Sequence, residues 1–191
     1  MPATRGRMSR DKILEGAADI LDGGQYSALT VDALARSLRM SKSTLYKYFT
    51  SKEQVIVSIV RDACDETDAE IERTLAGGSP SEQLSELAAI VGRHGERLPR
   101  ALITQPERLP LPCAQRLSAT RELFAETAHA LVAQGVERKV FAHPSPRVVA
   151  VAFVASCEAV LADRARTGQQ DYSAALTQLP QLFVRALEKG D

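Results

Sequence analysis

Apolar residues recur three and four positions apart along nearly the whole chain, and no stretch alternates as a half-buried strand would. The first stripe is Ile13, Ala17, Ile20 and Leu21, with Ser9 as the expected N-cap and Asp22-Gly23-Gly24 as the stop. Thr30 caps a second helix with Val31, Leu34, Ala35 and Leu38 on one face, and Asp32 in its first turn suits the helix dipole. Ser41 caps a third, Ser41–Phe49, in which Leu45 and Phe49 lie four apart. Ser51 and Gln54 form a capping box that opens a fourth helix, running through Val55, Ile59 and Ala63 to Gly77-Gly78.

The later part repeats the theme with Gly and Pro as punctuation. A helix is predicted over 81–95, and four prolines between Leu98 and Pro112 leave room there for only a short one. Another spans about Ala114 to Gln134 and stops at Gly135. Ser145-Pro146 opens a helix reaching about Arg166, and the last runs from Tyr172 to about Lys189 with a kink at Pro180. The fold class is all-α, with no internal repeat.

Composition narrows the class. The chain has 191 residues, 45% apolar and 25% charged, with 24 basic against 24 acidic side chains. These values are ordinary for a globular protein and exclude a disordered or collagen-like chain. The longest apolar run, Val148 to Cys157, is about half of what a bilayer crossing needs. With no basic-then-apolar leader at the start, the cytoplasm is the expected compartment and no membrane partner is expected. Cys64, Cys113 and Cys157 are too scattered for a disulfide framework or a zinc motif. The balanced charge conceals a split, because residues 1–52 hold nine basic and five acidic groups while 53–191 hold fifteen and nineteen. A polyanion is the natural partner for the N-terminal end.

Two short helices joined by a turn of about three residues make a helix-turn-helix, whose second helix can enter a major groove. With Leu45 and Phe49 inward, that helix turns Lys42, Ser43, Thr44, Tyr46, Lys47 and Tyr48 outward. Lysines, hydroxyls and phenol rings offer hydrogen bonds to phosphates and base edges, and ring or methyl contact to thymine. The run Thr30-Val31-Asp32-Ala33-Leu34-Ala35, then Met40 through Phe49, then Ser51-Lys52-Glu53, resembles the TetR (tetracycline-repressor) family of transcriptional regulators. The resemblance covers about 45 residues, Ser9 to Glu53. It implies that Thr30, Tyr48 and Lys52 touch phosphates while Lys42, Ser43, Tyr46 and Lys47 lie closest to the bases. Arg5 and Arg7 would add minor-groove contacts from an arm. Two positions depart from the family pattern: Arg39 and Ser43 stand where glycine is usual. If the turn needs a left-handed backbone, Arg39 costs about 1 kcal/mol there.

The division expected is a DNA-binding domain over 1–52 and an effector-binding and dimerisation domain over 53–191. In Val148–Ala162 only Ser156 and Glu158 are strongly polar, so that helix must be covered on all sides, one of them by a second copy. The homodimer interface is expected to use Val148, Val151, Ala152 and Ala155, with Tyr172, Leu176, Leu179 and Phe183 from the last helix. By resemblance, helices between 52 and 135 surround a cavity for a small, partly apolar effector. Its candidate lining is Val91, His94, Leu102, Cys113, Leu117, Phe124 and Ala128. The function that follows is a ligand-responsive regulator, by family default a repressor, that binds a palindromic double-stranded operator as a dimer and is released by its effector.

Other classes fit less well. Glu126-x-x-His129 has the spacing of a carboxylate-bridged metal bundle, but neither His94 nor His143 has a Glu three residues before it. A helical ligand-binding or metal protein without specific DNA binding is therefore the alternative, and no metal site, cofactor or catalytic residue is assigned. No cysteine sits in a nucleophile context, and a redox role for Cys64 or Cys113 stays open, although acids flank Cys64. A pure interaction bundle with a vestigial helix-turn-helix would leave the charge split unexplained.

Overall fold

A computed structural model describes the backbone of residues 3–74, 77–142, 145–167 and 172–187, and their side chains apart from 3–9 and 172–177. Every regular element among these residues is helical. The order is α1 (Ala3–Asp22), a 3-10 turn at Tyr26–Ala28, α2 (Val31–Ser37), α3 (Lys42–Tyr46) and α4 (Lys52–Thr74). Then come α5 (Pro80–Arg97), α6 (Arg100–Thr104), a 3-10 turn at Pro106–Arg108, α7 (Leu111–Glu137), α8 (Pro146–Thr167) and α9 (Tyr172–Leu187).

Four boundaries differ from the sequence reading, each for a local reason. α1 starts at Ala3 and not at Ser9, since residues 3–8 contain one glycine and no proline to stop it. α3 closes at Tyr46, and the chain continues as turns in which Tyr48 and Phe49 donate their amides to the Leu45 carbonyl, at 2.9 and 3.0 Å. α5 opens at Pro80 because Ser79 and Glu82 form a reciprocal capping box. The Glu82 carboxylate accepts from the Ser79 amide at 2.8 Å, and Ser79 Oγ accepts from the Glu82 amide at 3.3 Å. α7 passes through Gly135 to Glu137, where a β-carbon at 135 would overlap the buried Phe141 ring. Gly135 is thus a packing residue inside a helix that ends two residues later, with Lys139 left-handed at φ 60°.

By packing, the chain separates into two compact units, one of 1–63 with 97–117 and one of 64–96 with 118–191. In the first, Ile13, Ala17 and Leu21 of α1 are fully buried with Leu29, Ile56 and Val60, while Leu34 and Leu45 are nearly so. Burying each of the larger side chains contributes about 1.5–3 kcal/mol. Gly16 lets α1 approach α2 closely, since a β-carbon there would press on Leu38. Arg10 pairs with Asp62 at 3.0 Å. The segment 97–117 joins this unit through two long-range hydrogen bonds. The Arg100 amide donates to Asp22 Oδ1 at 2.9 Å, and Gln105 Nε2 donates to the Gly24 carbonyl at 2.8 Å.

The second unit has its own core, including Leu84, Leu87 and Ile90 of α5, Phe124 and Val132 of α7, and Phe153 and Cys157 of α8. Phe153 meets Phe183 of α9 edge to face at 5.3 Å between centroids. Among the described residues no helix is long and apolar enough to cross a membrane.

Candidate nucleic-acid interface

The recognition candidate is a very short helix, so its ends decide its geometry. The Thr44 amide donates to Ser41 Oγ at 3.1 Å, and the same oxygen lies 2.8 Å from Thr44 Oγ1 and 2.9 Å from Ser43 Oγ. At the start of α2 the Ala33 amide donates to Thr30 Oγ1 at 3.1 Å. Such caps contribute about 1 kcal/mol each and hold the two helix N-termini in fixed directions. Ser51 accepts the Gln54 amide at 3.3 Å, as the capping box predicts, but the Gln54 side chain reaches one residue further back to the Thr50 amide, at 2.8 Å.

Between α2 and α3 the backbone turns through a left-handed residue, and that residue is Arg39 at φ 51°. The Arg39 amide donates to the Arg36 carbonyl at 3.2 Å and the Met40 amide to the Ala35 carbonyl at 2.9 Å, the paired bonds of a Schellman ending. The conformation that the resemblance raised as a condition is therefore present, and Arg39 adopts it without the freedom of glycine.

On this frame Leu45 and Phe49 are buried, while Lys42, Ser43, Tyr46, Lys47 and Tyr48 are exposed. Tyr46 at 50% and Tyr48 at 37% are among the large apolar side chains most open to solvent in the described chain. Thr44 is half-buried with its hydroxyl directed to Ser41, which makes it a supporting residue more than a reader. Thr30 is exposed at its helix start. Lys52, half-buried, sets its Nζ 5.0 Å from the centroid of the buried Tyr26 ring, a cation–π contact. Burial, and then Glu53, push the Tyr26 phenol above its usual pKa, so it stays neutral. Lys42 forms an ion pair with Asp32 of α2, and that hydrogen bond raises the lysine pKa further. Arg5 and Arg7 belong to the first turns of α1 instead of an arm ahead of it, and their side chains lie outside the described residues.

The effector candidates divide between the two units. Leu102, Cys113 and Leu117 belong to the first, and Val91, His94, Phe124 and Ala128 to the second. His94 Nδ1 lies 2.9 Å from Thr67 Oγ1, and its ring meets Phe124 at 6.4 Å between centroids. Thr67 is fully buried, and the nearly buried Thr120 donates to Asp68 at 2.9 Å, so this unit carries hydroxyls within an aliphatic interior.

The dimer candidates also divide. Val148 and Val151 are 62% and 57% exposed, Ala152 and Ala155 lie on the same open face of α8, and Phe153 and Cys157 fill the inner side. Leu179 and Phe183 instead pack against their own core, because the α9 stripe covers α8. Among the described side chains of α9 the large apolar one left exposed is Leu182, at 63%, which lies off the predicted stripe. The side chains of Tyr172 and Leu176 lie outside the described residues. All three cysteines are buried, and burial drives the Cys157 thiol up to about 12. Glu126 and His129 are exposed, and among the described residues no group of three or more metal-ligating side chains gathers.

Residues 13–59 match the family model described as bacterial regulatory proteins, tetR family. The transcriptional repressor KstR of Mycolicibacterium smegmatis is 33% identical over 94 residues, 49% of this chain and 46% of that protein. The chain thus spans about half the length of the curated relatives it matches first. Over nearly the whole chain the fold matches the TetR-family regulator PfmR of Thermus thermophilus, with TM-score 0.77, 26% identity and coverage of 93% and 99%. It also matches AibR, crystallised with isovaleryl coenzyme A and operator DNA, with TM-score 0.70, 18% identity and coverage of 94% and 97%. KstR and PfmR are transcriptional regulators by name.

Proposed function

This chain belongs to the TetR family of transcriptional regulators, and on that premise we propose that it is a ligand-responsive repressor working as a homodimer on a two-fold operator. The observation that carries the reading is the face of α3. α3, fixed by caps at its own start and at the start of α2, and the turn that follows it present Lys42, Ser43, Tyr46, Lys47 and Tyr48 to solvent. Lys42, Ser43, Tyr46 and Lys47 are the proposed base readers, and Thr30, Tyr48 and Lys52 the phosphate contacts. Residues 1–52 are read as the DNA-binding part and 53–191 as the part that senses and dimerises.

One helix-turn-helix reads few base pairs, so specificity asks for two, set about 34–36 Å apart in successive major grooves. The open apolar face of α8 supports a second copy as partner. We read α4 as the transmitter, since its first residue is Lys52 and it continues unbroken to Thr74. An effector that binds the DNA-incompetent arrangement more tightly by about 1–3 kcal/mol would release the operator. AibR was crystallised with an acyl-coenzyme A, so acyl thioesters head the screen here, with other small, partly apolar compounds after them.

The test is a genome-wide selection of bound fragments, followed by gel shift at about 0.15 M salt, where specific and non-specific binding separate. A two-fold footprint occupied by two chains, lost on adding an effector, is the expected result. Failure to enrich any sequence would overturn the reading.

A further inference from the structure

Two lysines of the DNA-facing surface are held by neighbours, and the two neighbours have opposite consequences. The Tyr26 ring holds Lys52 from behind and competes with nothing on DNA. Asp32 holds Lys42 by its charge, and a carboxylate competes directly with phosphate. Both members of that pair are 59% exposed, so packing does not force them together. Asp32 lies two residues after Thr30, in the helix start that faces the same polyanion. Among the described residues Arg39 and Lys47 have no such anion, which singles out Lys42.

We propose that Asp32 sets the selectivity of the DNA contact by holding the Lys42 ammonium away from the phosphates while leaving its other N–H groups to a matching base edge. The inference rests on the DNA-binding reading given above. A phosphate oxygen returns to Lys42 about what Asp32 already provides, one charged contact in water, so the exchange gains little. A guanine edge presents two acceptors, O6 and N7, at fixed positions. An ammonium carries three N–H groups, so there it donates to the base while it keeps Asp32, and nothing is given up. The carboxylate, acting through Lys42, is then a repulsive element against wrong sequences.

The test compares the operator duplex recovered by selection with a scrambled duplex of equal length, by fluorescence anisotropy across a salt series. Asp32→Asn is expected to tighten scrambled binding roughly ten-fold and leave operator binding within about two-fold, so discrimination falls. Its salt slope on scrambled DNA should steepen by about one, the signature of one more cation on phosphate. Asp32→Glu should keep the wild-type discrimination, and in a Lys42→Ala background Asp32→Asn should change nothing. Equal tightening on both duplexes, or an effect that persists without Lys42, would show bulk charge at work and overturn the inference. A wild-type protein that selects no sequence would remove the DNA reading, and this inference with it, before any variant is made.

Discussion

The α3 face and the α8 face are both open to solvent, yet they differ in every chemical respect. On α3 the exposed groups are ammonium, hydroxyl and phenol, each able to hydrogen-bond. On α8 they are the methyls of Val148, Val151, Ala152 and Ala155, which can only exclude water. The first suits a hydrated, charged partner whose binding weakens with salt. The second suits an apolar surface of the same kind, whose association salt leaves largely alone. A regulator that reads a two-fold sequence needs both, one for recognition and one for pairing.

The sharpest way to break this comparison is to place a charge on the methyl face. Val151→Arg is expected to convert the proposed dimer to monomer in light scattering and to lower operator affinity by at least about 100-fold, since an unpaired charge buried at an interface costs several kcal/mol. On the α3 face the losses should be smaller and more selective. Lys47→Ala should cost about 1–3 kcal/mol on the operator and relax preference at one base position, read by anisotropy against single-base operator variants. Lys52→Ala should instead weaken operator and scrambled DNA alike and flatten the salt slope by about one.

Smaller still is a stability effect shared by both units. Arg39 and Lys139 each take a left-handed turn residue's place, so Arg39→Gly and Lys139→Gly should each raise stability by up to about 1 kcal/mol in denaturant melts. Only the first should also alter DNA binding. Near neutrality the smallest effect is expected from pH, because it is confined to alkaline solution. The Cys157 thiol is raised to about 12 in the folded protein, above its ordinary value near 9. Its contribution is therefore complete below about pH 9 and lost as pH rises from there toward 12, because the unfolded chain ionises first. Cys157→Ala should remove that alkaline decline from melting curves, and Cys157 should resist alkylation near neutrality in the folded state.

What the sequence determined is local. Thr30 and Ser41 cap their helices as their side chains and positions dictate, Pro146 opens α8, and Leu45 and Phe49 face inward at helical spacing. These outcomes depend on neighbours within four residues, which is why periodicity and capping chemistry suffice. The Ser79–Glu82 box is equally local, and it starts α5 at Pro80, just ahead of the predicted 81–95.

Other features came from distant partners. Arg39 takes φ 51° because α2 must end at Ser37 and α3 begin at Lys42, a demand of packing that no property of arginine announces. Gly135 reads as a stop until Phe141 folds back over it. α8 is apolar on nearly every side, so packing into the second core, with the Phe183 ring edge-on to Phe153, decides which side is inner and leaves Val151 out. Segment 97–117 belongs to the first unit through hydrogen bonds that span 78 and 81 positions, and Asp32 finds Lys42 from another helix. Periodicity says which residues share a face; only the tertiary structure says what that face meets.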